Sequence, residues 1–89
     1  MVILREISFL SIDRELYLII DKIRNSVTDF DKNNIEIEMG KRLAKELLES
    51  NNMHRYVKES DGGFTYKGYF VRSSNINPRG LMVRYNFTK

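Results

Sequence analysis

The sequence predicts a small single α+β domain, residues 1–89, with two helices packed on one face of an antiparallel sheet. Three observations predict it. Residues 12–26 and 34–50 carry apolar side chains at helical spacing. The C-terminal third alternates apolar and polar residues as strands do, and clusters of Asn, Asp, Gly and Pro punctuate the blocks. The expected element order is β-α-α-β-β-β.

Residues 2–9 mix two periods. Ile3, Ile7 and Phe9 fit one face of a strand, and the density of β-branched and aromatic residues favours a strand over a helix. Ser11 then offers a helix start. In residues 12–26, Leu16, Ile19, Ile20 and Ile23, with Val27 just beyond, share one helical face. Asp13 and Glu15 at the start, and Lys22 and Arg24 at the end, complement the helix dipole. The segment VTDFDKNN breaks the pattern, because Asp and Asn side chains bond to nearby backbone and favour turns.

In residues 34–50, Ile35, Met39, Leu43 and Leu47 recur every fourth residue, and Asn33 with Glu36 resembles a capping box. A second reading competes: IEIEM has period two, giving a short strand over 35–39 and a shorter helix from Gly40. The remainder is expected to be a meander with strands over 53–59, 64–73 and 81–88. Ser60–Asp61–Gly62–Gly63 makes the first turn and Asn77–Pro78–Arg79–Gly80 the second.

The chain contains no Cys, so a disulfide framework or a cysteine-based metal site is excluded and a reducing, cytoplasmic setting is expected. The longest apolar run, Leu16–Ile20, is far short of the ~20 residues that span a bilayer, so no membrane partner is expected. His54 stands alone, and no phosphate-binding Gly loop occurs. Glu36, Glu38, Glu46 and Glu49 fit solvated helix pairs such as Glu38–Arg42 and Arg42–Glu46 better than a metal or acid–base site. Neither catalytic residues nor a cofactor are expected.

Charge is the informative feature. The chain carries a net +3; residues 1–52 hold eight Lys/Arg and ten Asp/Glu, whereas residues 53–89 hold seven and two. Basic charge is thus concentrated where the sheet is expected. Strand alternation places Leu81, Val83, Tyr85 and Phe87 inward, with Phe64, Tyr66, Gly68 and Phe70 inward on the strand before. The outward face then collects His54, Tyr56, Lys58, Lys67, Tyr69, Arg84 and Asn86 without an acidic residue, and Arg79 projects from the turn. Arg72 falls in the inward register. Cations among aromatic rings suit RNA or single-stranded DNA: Tyr56 and Tyr69 stack on bases while Lys58, Lys67, Arg79 and Arg84 meet phosphates. The expectation is a non-catalytic nucleic-acid-binding domain. The alternative is a small protein-binding inhibitor or adaptor, since Tyr and Arg also dominate protein interfaces; the abundant Ile, Asn and Lys of a compact single domain fit a phage-encoded anti-defence protein.

The element order is also similar to that of the RelE-type mRNA interferase toxins, which cut RNA with basic and aromatic residues on a sheet. That resemblance implies a ribonuclease site drawn from Arg55, Lys67, Arg72, Arg84 and Tyr85.

Overall fold

The structure, a computed structural model, describes residues 1–50, 57–60 and 63–87, the second of these as backbone. Its elements are β1 (Val2–Glu6), α1 (Ile12–Ser26), β2 (Ile35–Gly40), α2 (Lys41–Glu49), β3 (Val57–Ser60), β4 (Gly63–Tyr66), β5 (Tyr69–Ser74) and β6 (Gly80–Tyr85), with short 3-10 turns at Phe9–Ser11 and Lys32–Asn34. The strands form one mixed sheet in the order β1-β6-β2-β5-β4-β3. All neighbours are antiparallel except β2 and β5, which run parallel.

Helix α1 has the bounds its periodicity predicts. It buries Ile12, Leu16, Ile19, Ile20 and Ile23, with Asp13 and Glu15 in its first turn and Arg24 in its last. The second helix is shorter than the single 34–50 helix favoured from the sequence. Residues 35–40 are instead a strand between the helices, so the order is not β-α-α-β-β-β and the sheet is not purely antiparallel. The reason is the period-two reading of IEIEM. Ile35, Ile37 and Met39 are buried while Glu36 and Glu38 are partly exposed, and an extended chain alone separates them so cleanly. The Asn33–Glu36 capping box is not formed. Asp31 caps the 3-10 turn by accepting from Asn33 N at 2.9 Å. Of the expected helical pairs, Arg42–Glu46 stands at 3.3 Å, whereas Glu38 belongs to the sheet.

The expected strand over 64–73 is two strands. Lys67 (φ 51°) and Gly68 (φ 85°) are both left-handed and close a two-residue hairpin between β4 and β5. Two consecutive positive φ values match the right-handed twist of the flanking strands, and Gly68 takes its value at no steric cost. The turn expected at Asn77–Gly80 is present, with Gly80 N donating to Asn77 O at 2.7 Å; Asp61 and Gly62 of the other expected turn lie outside the described residues. The last strand ends at Tyr85 rather than at residue 88, and Phe87 lies beyond it, exposed, with its ring edge-on to Tyr85 at 5.0 Å.

One core cluster joins the buried residues of both helices to Ile35, Ile37, Met39, Phe64, Tyr66, Val71, Leu81, Val83 and Tyr85. Cross-strand registry puts these strand residues on one face: Ile37 lies between Val83 and Val71, and Phe64 opposite Val71. Both helices therefore cover that face, and among the described residues no helix lies on the other, the helix-free face. Within the described residues no helix is long and apolar enough to cross a membrane.

Candidate interaction face

Registry assigns the helix-free face residue by residue, because directly opposed residues share a side. One row runs Val2, Arg84, Glu36 across β1, β6 and β2. The next runs Leu4, Met82, Glu38, Arg72 and continues onto β5. Phe70 faces Thr65 on the same side of β5 and β4. Strand β2 supplies the two carboxylates at the centre because its inward positions are the three apolar ones.

The arrangement is charged in the middle and apolar along one margin. Arg84 Nη1 stands 3.5 Å from Glu36 Oε2, and Asn86 Nδ2 donates to Glu36 Oε1 at 3.3 Å. The Arg72 guanidinium lies 5.7 Å from the Phe70 ring centroid. Glu36, Glu38, Phe70, Arg72 and Arg84 line a depression of about 130 Å³ on this face. Toward β1 the face becomes apolar, with Val2 54 % and Leu4 56 % exposed beside half-buried Met82. Phe70, 38 % exposed, adds an aromatic ring on the opposite side of the charged centre. The Arg84–Glu36 ion pair is solvated and contributes no more than ~1 kcal/mol to folding.

The sequence-predicted site residues do not gather here. Arg84 lies on the helix-free face, as expected. Lys67 and Tyr69 do not. Tyr69 opposes buried Tyr66, which places it on the helix side, and Lys67 sits in the hairpin turn with its Nζ 3.1 Å from Asp13 Oδ1 on α1. Both line a cavity of about 200 Å³ against α1, floored by Leu16 and Ile20. The error has one source. Lys67–Gly68 is a turn, and alternation carried through it inverts the residues that follow in the same expected strand. Val71 is therefore buried and Phe70 exposed, the reverse of the expectation. Arg72, expected inward, is on the open face for the same reason.

Arg79 is exposed at the far end of the sheet, where its N donates to Asn77 Oδ1 and its O accepts from Ile7 N, both at 3.0 Å. His54, Tyr56 and Arg55 lie outside the described residues, and Lys58 is placed only by the pairing of its backbone with Thr65. The expectation of an acid-free outward face is corrected by Glu36 and Glu38. Their signal was the alternation of IEIEM.

The residues implied by the RelE resemblance are likewise dispersed. Arg72 and Arg84 are on the open face, Lys67 is in the turn, and Tyr85 is buried on the helix side. The Tyr85 hydroxyl accepts from Asp31 N at 3.0 Å and lies 3.4 Å from Asn34 Nδ2. The shared element order is also not the observed one, since β2 stands between the helices. Among the described residues no cluster of three or more His, Cys, Asp or Glu side chains is placed to hold a metal. No protein-family model matches the chain, and comparison with curated proteins and with solved structures returns no match.

Proposed function

We propose that this chain is a non-catalytic protein-interaction domain that docks a partner protein on the helix-free face of its sheet. One observation carries the reading: exposed Val2, Leu4 and Phe70 flank a central array in which Glu36 and Glu38 alternate with Arg84 and Arg72. Apolar area supplies affinity, and charges of both signs select a partner whose surface carries the complementary order. Arg and aromatic side chains are favoured anchors of such contacts. The occupant that fits is a folded protein whose acidic and basic groups lie together between apolar margins. A polyanion meets two carboxylates at the middle of this face. A docking surface of this kind suits an inhibitor or adaptor role.

The test is a pull-down comparing the parent chain with Arg72→Glu/Arg84→Glu, and with Tyr17→Ala on the exposed side of α1 as a control. A protein held by the parent and the control but lost by the double variant supports the reading. Equal capture by all three overturns it.

A second reading keeps support from two cation–aromatic pairs. Lys32 Nζ lies 4.6 Å from the Tyr69 ring centroid, and Arg72 stands beside Phe70. Such pairs bind single-stranded nucleic acid by stacking and phosphate contact, and the basic excess of residues 53–89 adds to the attraction. That reading expects nucleic acid to copurify, with an affinity falling ~10²-fold or more over a few-fold rise in salt.

A further inference from the structure

Strand β1 ends the sheet, and its outer edge has a specific pattern of backbone groups. Tyr85 N donates to Met1 O at 2.9 Å and Ile7 N donates to Arg79 O at 3.0 Å. In an antiparallel ladder, bonded positions alternate. Residues 1, 3, 5 and 7 therefore face β6, and Val2, Leu4 and Glu6 direct their N–H and C=O groups away from the sheet. The pairing of Val2–Glu6 with β6 runs unbroken, so no bulge twists this edge away. Of the usual guards of an exposed edge, the strand VILRE lacks Pro and Lys and carries Glu6 and Arg5, the latter drawn to Glu15 at 3.3 Å.

We propose that β1 pairs antiparallel with β1 of a second copy of this chain, about a two-fold axis at Leu4, joining the two sheets into one. Symmetry and hydrogen bonding select the occupant and the register. An isologous pairing that keeps both helix layers on one side must oppose even positions with even positions. An axis at Leu4 opposes Leu4 to Leu4 and Val2 to Glu6, which engages every outward group of the strand in about six hydrogen bonds. Axes at Ile3 or Arg5 engage only about four, and the latter sets two guanidiniums against each other.

Charge complementarity favours the same register. The row Glu36, Arg84, Val2 of one copy continues onto Glu6 of the other. Glu6, whose carboxylate also accepts from Asn77 Nδ2 at 3.0 Å, then stands two strand spacings, ~10 Å, from Arg84 on the side opposite Glu36. On the helix-free face, Val2, Leu4 and Met82 of both copies merge into one apolar patch. The pairing stands on the edge geometry alone and does not require that the face bind another protein.

Sedimentation equilibrium of the full chain tests it. Edge pairing covers little area, so the expected dissociation constant is ~10–100 μM. Leu4→Lys and Leu4→Glu each oppose like charges across the axis and weaken association ~10-fold or more. An equimolar mixture of the two restores the dimer as a heterodimer. Leu4→Pro removes an N–H that makes no bond within the chain, so it weakens the dimer while the monomer's circular dichroism spectrum is kept. A parent chain that stays monomeric at ~1 mM overturns the pairing, as do charged variants that dimerise like the parent. Charged variants that weaken association but are not restored by mixing overturn the register.

Discussion

Tyr85 shows how one side chain serves two layers. Its ring stacks on Phe30 at 5.5 Å, and its buried hydroxyl accepts the backbone N–H of Asp31 at 3.0 Å. The hydroxyl thereby fixes the loop that delivers β2 into the sheet. Tyr85→Phe keeps the stacking and leaves the Asp31 N–H without its acceptor. The expected loss is about 1 kcal/mol, read as a lower urea midpoint with an unchanged slope. Lys67 and Gly68 act through backbone rather than side chain. Because both are left-handed, the sequence YKGY turns back on itself, although nothing in its apolar pattern marks a turn. Gly68 and the residue before it were legible as a turn only through glycine's tolerance of positive φ, and the run of aromatic residues on both sides masked that signal.

At the scale of elements, the junction of β2 and α2 decides the topology. Gly40 ends β2 and caps α2, and a side chain there would collide with the backbone of Asn77 and Pro78. That turn in turn serves the helix, since Leu43 N donates to Pro78 O at 2.9 Å. Gly40→Ala forces backbone apart rather than displacing a flexible side chain. A loss of at least about 2 kcal/mol is expected, measured by chemical denaturation. The periodicity of α1 was fully legible, because a 15-residue amphipathic pattern has few alternative folds. Residues 35–39 were ambiguous for the converse reason. Ile35 and Met39 satisfy a period of four and a period of two alike, and five residues are too few to separate them. Tertiary pairing separated them, by supplying β6 on one side and β5 on the other.

For the molecule as a whole, the net charge of +3 conceals how the surface is organised. Glu36 and Glu38 place negative charge at the centre of the one face that no helix covers. They oppose polyanion binding there. Glu36→Gln/Glu38→Gln changes the net charge from +3 to +5 and makes the face basic. Affinity for a mixed single-stranded oligonucleotide is expected to rise ~10-fold at low salt, with most of the gain lost by about 200 mM salt. Fluorescence anisotropy across a salt series checks it. An unchanged affinity shows that this face does not meet the oligonucleotide.

By itself the sequence determined the α+β class, the extent of α1, the turn at Asn77–Gly80, and the inward set Leu81, Val83 and Tyr85. Each rests on a local pattern long enough to exclude its rivals, or on a residue type with one favoured conformation. Only the tertiary structure decided that β2 is an interior strand between β6 and β5, that the segment after Lys67–Gly68 reverses its facing, and hence which charges share a surface. The physical reason is that alternation fixes which side chains lie together along a strand, whereas strand order and registry fix which strands lie side by side. Those depend on hydrogen-bond partners distant in the chain.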